Sequence, residues 1–185
     1  AVSRKPGYLV VGSLGVLLSG LAVGAVSAHA RARFDVWLNP FADPTGKGWQ
    51  ILQGLSAMYA GGLWGAGIGA GAPQSVPIVS SDFIYAALAE ELGIIACVLL
   101  VLIFVMLALR GWTIAAQARG PFGLLLGVGL TAMITVQALL NVGGVVKAIP
   151  MTGIPLPFVS QGGSSLVAAL VMVGLLAAIS DGRRG

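Results

Sequence analysis

The sequence predicts an all-α polytopic membrane protein: a helix bundle of about four transmembrane helices with a long outer loop containing short interfacial or re-entrant helices. Three observations predict it. Of the 185 residues, 57% are hydrophobic and only 9% charged, and the mean hydropathy is +0.98, so the bilayer is the natural solvent. Apolar runs recur at spanning length, which takes about 20 residues with a lower limit of roughly 17. The ten Lys and Arg residues sit in short clusters at the ends of those runs rather than along one face, as topology determinants do. A formal charge of +4 distributed in this way gives no reason to expect a nucleic-acid partner.

The first span is Tyr8 to Ala28 (8-28). The second, 82-109, contains the charge-free run Leu92 to Leu109 and continues outward through the less apolar approach that begins near Asp82. The third, 121-146, follows Gly120 and opens on Pro121, which suits a first helical turn. The fourth, 165-180, is marginal in length, with Ser164 or Ser165 as its expected N-cap. Together they make one membrane domain, 1-185, with outer loops 29-80 and 147-163. If four helices cross, six of the ten basic residues (Arg4, Lys5, Arg110, Arg119, Arg183, Arg184) share the cytoplasmic side, and Arg31, Arg33, Lys47 and Lys147 fall on the other.

The loop 29-80 is too long for a simple connection. Its first part, RARFDVWLNPFADPTGKGWQ, carries turn signals at Asn39/Pro40, Asp43/Pro44 and Thr45/Gly46, with Trp37 and Trp49 suited to the interfacial belt. The second part, ILQGLSAMYAGGLWGAGIGAG, reads as a short helix followed by a glycine-rich flexible or re-entrant piece. A full crossing there would reverse the parity of the bundle and turn Asp82 toward the cytoplasm. The loop 147-163 contains Pro150, Pro155 and Pro157, so its backbone groups must be satisfied by protein or by a wet cavity.

Cys97 is the only cysteine, which excludes an internal disulfide or a CxxC site. His29 is the only histidine, and no metalloprotease, P-loop or dinucleotide spacing occurs. No signal-peptide order follows Ala1, and the chain reads as part of something longer.

Three carboxylates, Asp82, Glu90 and Glu91, lie at the mouth of the second span. The plain reading of Asp82 is a helix cap, shared with Ser80 and Ser81; the chemical one is a general base at the outer membrane face. On a continuous helix Glu90 lies about 80° from Asp82 and Glu91 about 180°, so Glu90 is the better neighbour. Both glutamates have a packing or pairing role as their plain alternative. Lys47, Lys147, Arg31 and Arg33 are cations on the same side, able to hold a pyrophosphate or to anchor in the interface. Gln137 and Asn141, four apart on one face, suit interhelical hydrogen bonding and are given no chemistry.

The stretches WLNPFADPTGKGWQILQGLSAMYAGGLWGAGIG, SDFIYAALAEELG and IPMTGIPLPFVSQGGSSL resemble, in order and separation, the SEDS proteins of bacterial cell-wall synthesis: the RodA, FtsW and sporulation-type (SpoVE) family. They cover nearly all of this chain but only about the last four helices of a ten-helix member, so it looks like a C-terminal portion. The wording SDFIYA and GGVVKAIPMTG is closer to the elongation type. The resemblance implies an inverting peptidoglycan glycosyltransferase that polymerises lipid II at the outer face of the bacterial cytoplasmic membrane, with this stretch inactive alone. The family's essential acid maps onto Asp82, within Ser81 to Tyr85. Gln161 stands where the serine-rich loop usually has Tyr, which puts any role of that ring in doubt.

On that reading Asp82 is the catalytic base, and Lys47, Gln50, Glu90, Lys147, Ser160 and Ser164 are the candidate substrate-binding residues. No metal-ligand set is assigned and no cofactor is fixed by the sequence; a divalent cation (Mg or Mn) held by carboxylates is one way to assist the leaving pyrophosphate. The implied partners are lipid II, a class B penicillin-binding protein transpeptidase and membrane lipids. Two alternatives stay open. One is a lipid-linked precursor flippase lined by Asp82 and Glu90. The other is a non-catalytic scaffold using the small-residue face Gly12, Gly15, Ser19 and Ala22.

Overall fold

The computed structural model describes Gly12, Leu14, Gly15, Leu18, Ser19 and residues 27–70 and 82–182. The expected first span, 8-28, lies outside the described residues apart from those five positions, all helical, and the start of the next helix. The described residues form helices α1 (Ala28–Leu38), α2 (Trp49–Gly61), α3 (Ile84–Ala116), α4 (Gly120–Val145) and α5 (Gly163–Asp181), with a single 3-10 turn at Pro40–Ala42. No strand occurs among them.

Helices α3, α4 and α5 are long and apolar enough to cross a membrane, and the protein is a multi-pass helical membrane protein. Their large side chains face outward: Leu99, Leu102, Met106, Leu125, Leu139 and Leu170 are all exposed, the reverse of a soluble bundle. Helices α3 and α4 form a tight antiparallel hairpin, close enough that a β-carbon at Gly127 would come within 2.9 Å of Ala115 Cβ. Helix α5 packs against this pair, its Ala169, Met172 and Leu176 clustering with Ile134 of α4. Pro121 falls in the first turn of α4, as expected. The N-cap of α5 is Gly162 rather than Ser164 or Ser165.

The loop 29-80 is more helical than its turn signals imply. Residues 28–38 form α1, where an interfacial loop was expected: Ser27 accepts a hydrogen bond from Ala30 N at 3.4 Å as its cap, and Asn39-Pro40 ends it. The short helix expected after Trp49 is α2, whose 13 residues fall short of the roughly 17 needed to cross a membrane.

The main correction concerns α3. The approach from Asp82 does not extend the spanning helix outward. Gly93 has φ 82° and ψ 174°, a conformation that only glycine adopts cheaply, and it divides α3 into an arm, 84–92, and a spanning part, 94–116. Tyr85 and Cys97 would stand about 18 Å apart along a straight helix. Here Cys97 Sγ is 3.8 Å from Tyr85 O, and Tyr85 Oη donates to Cys97 O at 3.4 Å. The arm therefore folds back on the first turns of the span.

The break frees backbone groups, and the glycine-rich segment after α2 takes them up. Ala66 N and Gly67 N donate to the carbonyls of Glu90 and Glu91 at 2.8 and 3.0 Å, and Ile94 N and Ile95 N donate to those of Gly62 and Leu63 at 3.0 and 3.4 Å. The segment expected to be flexible or re-entrant is thus pinned by four backbone bonds.

Candidate functional site

Folding the arm back carries Asp82 to the level of Asn141, one turn inside the end of α4. Asp82 precedes the N-cap, Phe83, and no side chain caps this helix start, so the carboxylate is not spent on capping. The helical-wheel relation of Asp82 to Glu90 and Glu91 does not apply, because residue 82 lies outside the helix. Phe83 holds the register: it is only 1% exposed, and its ring lies so close to Gly54 that a β-carbon there would be 2.6 Å from Cε1. Around it Ala57, Tyr85, Ala86, Ala89, Ala138, Val145 and Leu156 form the core beneath the site.

The loop 147-163 supplies one wall. Protein side chains take up several of its backbone groups, as its prolines lead one to expect. Arg33 Nη1 donates to the carbonyls of Met151 and Thr152 at 3.0 and 2.8 Å. Asn141 Nδ2 donates to the carbonyls of Asp82 and Ile154 at 3.1 and 2.8 Å. Trp37 Nε1 donates to Lys147 O at 2.9 Å, and Leu156 N donates to Ser160 Oγ at 2.7 Å. Two helices, α1 and α4, thereby hold one proline-broken loop.

Between α1, α2, Asp82 and this loop lies a cleft of about 410 Å³, whose polar lining is His29, Arg33, Lys47, Gln50 and Asp82. Asp43, which does not line the cleft, ties the turn presenting Lys47: its Oδ2 accepts from Lys47 N at 2.9 Å. Of the expected site residues, Asp82, Lys47 and Gln50 are brought together here. Glu90, Lys147, Ser160 and Ser164 do not line the cleft. Glu90 is buried at 8% exposure, on the far part of the arm beside Gly61. Ser160 is buried in its own loop, and Ser164 is exposed in the first turn of α5.

Sequence reasoning noted His29 only as the sole histidine, and it grouped Arg33 with Arg31, Lys47 and Lys147 as outer cations able to hold a pyrophosphate or to anchor in the interface, without placing it in the site. The available signal was helical spacing. Once residues 28–38 are read as a helix, His29, Arg33 and Val36 stand at i, i+4 and i+7 on one face, the face that lines the cleft. A basic residue and a carboxylate in one cleft at the end of spanning helices can activate a hydroxyl and receive an anion. Among the described residues, no group of three His, Cys, Asp or Glu side chains is placed to hold a metal ion.

Fold and cleft together define a multi-pass membrane protein whose polar chemistry is gathered at one end of its spanning helices. A family model for the FtsW, RodA and SpoVE proteins, described as cell cycle protein, matches residues 3–185, and the chain belongs to that family. It is 40% identical over 182 residues to the peptidoglycan glycosyltransferase RodA of Mycobacterium tuberculosis, covering 98% of this chain and 39% of that protein. It is 42% identical over 183 residues to the stage V sporulation protein E of Bacillus subtilis, covering 97% and 50%. It is 40% identical over 159 residues to the probable peptidoglycan glycosyltransferase FtsW of Geobacter metallireducens, covering 85% and 42%. The chain thus spans half or less of the length of these relatives. One chain of the solved structure "Structural coordination of polymerization and crosslinking by a peptidoglycan synthase complex" superposes with a TM-score of 0.73 at 28% identity, covering 95% of this chain and 49% of that one.

Proposed function

We propose that this chain is the C-terminal part of a peptidoglycan glycosyltransferase that polymerises lipid II at the outer face of the bacterial cytoplasmic membrane. The observation that carries the reading is the convergence of Asp82, Lys47 and Gln50 on one cleft, in a chain whose relatives are named peptidoglycan glycosyltransferases. Asp82 takes the proton from the acceptor sugar's 4-hydroxyl. That oxygen attacks the anomeric carbon of the donor, the new C–O bond forms as the bond to the lipid pyrophosphate breaks, and Lys47 receives the charge developing on the departing phosphate. With one base and no enzyme nucleophile, the alpha-linked donor gives a beta-1,4 product. A Mg or Mn ion arriving with the pyrophosphate would share the load on the leaving group.

RodA, SpoVE and FtsW relatives match at nearly equal identity, so the elongation-type role rests on the SDFIYA and GGVVKAIPMTG wording alone. The partner is a class B penicillin-binding protein transpeptidase, a reading supported by the likeness to a chain of a peptidoglycan synthase complex. The test is lipid II polymerisation by the complete protein. Asp82→Asn is expected to abolish glycan chains at normal expression. Full-length glycan from that variant, or transport of labelled lipid II across vesicles with no polymer formed, would count decisively against the proposal.

A further inference from the structure

We propose that Arg33 is a positioning residue, which braces the wall of the cleft opposite Asp82 and keeps an open seat above Gly153 for the reacting hydroxyl. The inference rests on the reading of Asp82 as the base. Arg33 comes from α1, far in sequence from the loop it grips, and one nitrogen, Nη1, reaches two successive carbonyls, Met151 at 3.0 Å and Thr152 at 2.8 Å. The next residue, Gly153, is exposed and has φ +71°. A β-carbon on it would lie 3.5 Å from Asp82 Oδ2 and 3.9 Å from Arg33 Nη2. Carboxylate and guanidinium therefore flank the same small volume, which stays open only because residue 153 has no side chain.

The other tether of this stretch, Asn141, grips Ile154 and the carbonyl of Asp82. Loop and base are thus held at the α4 side by Asn141, while Arg33 holds residues 151 and 152. Losing the Arg33 brace frees that side of the wall to shift against Asp82, and a misplacement of about 1 Å can cost roughly 100-fold in rate. Such a loss falls on turnover, because the seat is formed by backbone and orients the hydroxyl rather than supplying binding energy.

The test uses the complete protein in detergent or nanodiscs with fluorescent lipid II, comparing wild type, Arg33→Lys, Arg33→Met, Gly153→Ala and Asp82→Asn. Arg33→Met is expected to lower kcat about 10- to 100-fold with KM changed less than threefold. Arg33→Lys, which keeps the charge but not the planar fork, is expected to fall between Met and wild type. Gly153→Ala is expected to lose at least tenfold in kcat without loss of thermal stability beyond a few degrees. Wild-type turnover in Arg33→Lys, or a loss borne by KM alone in either Arg33 variant, overturns the brace, since charge or binding would then be its role. If Arg33→Met fails to accumulate, Arg33→Lys and Gly153→Ala decide by the same criteria. An active Asp82→Asn overturns the reading of the base, and a dead Asp82→Asn beside fully active Arg33 variants overturns only the brace.

Discussion

The side-chain amide of Asn141 donates at 3.1 Å to the backbone carbonyl of Asp82, and the same nitrogen reaches Ile154 O at 2.8 Å. One side chain on α4 thus ties the segment carrying the candidate base to the proline-broken loop that forms its wall. The bond goes to the backbone, which leaves the Asp82 carboxylate facing the cleft.

Asn141→Leu, similar in size, should leave both carbonyls without this donor and cost about 1–3 kcal/mol of stability. Asn141→Asp should cost more, because a carboxyl oxygen would face two carbonyl oxygens. Thermal unfolding of the detergent-solubilised complete protein measures both, and equal stability of Asp and wild type would refute the strap.

The fold-back of α3 predicts a short cross-link. With Cys97 native and Tyr85→Cys added, a thiol-reactive linker of only a few ångströms should join the two positions, since the Tyr85 carbonyl and the Cys97 sulfur lie 3.8 Å apart. A continuous helix would separate them by about 18 Å, and the absence of any cross-linked species would favour that form.

Gly93→Ala should destabilise twice over. It places a side chain at φ 82°, costing about 1–2 kcal/mol, and it drives a β-carbon into the Leu63 carbonyl. Reduced yield of folded protein and increased protease cleavage between residues 62 and 67 are the expected readouts; a protease-resistant variant at wild-type yield would contradict the pinned segment.

Gly54→Ala should push Phe83 from its seat and with it the neighbouring Asp82, costing about 1–3 kcal/mol by overpacking. The smaller ring space of Phe83→Leu should recover part of that loss in the double variant, so a double-mutant cycle with a coupling near zero would argue against contact.

Ser160→Ala should lower stability by about 1–2 kcal/mol, since its hydroxyl accepts from Leu156 N inside the buried loop, while leaving KM for lipid II unchanged. Ser164→Ala should change neither. A raised KM in either variant would bring these serines back as substrate contacts.

The membrane class and three of the four expected spans could be read from residue chemistry, and the family from the resemblance of its motifs. Eighteen consecutive residues without a charge, Leu92 to Leu109, admit few environments besides lipid, and the order of the motifs was specific. Two things were not readable. Helix α1 was hidden by turn residues that follow it, although Ser27 and Pro40 mark its ends. The direction of the approach to the second span was hidden because a helical pattern looks the same on either side of a bend. Gly93 is one glycine among 28, and only the partners of its neighbours' amides distinguish it from the others.

Composition and hydrophobic run length thus decided by themselves that this chain lives in a membrane as helices, because the cost of bare amides and charges in hydrocarbon depends on local sequence. Which polar side chains share one cleft was decided by tertiary structure alone. His29, Arg33, Lys47, Gln50, Asp82 and Gly153 meet because a glycine bend and four backbone bonds from a distant segment return Asp82 to the bundle. Those bonds depend on spatial proximity, which linear spacing does not encode.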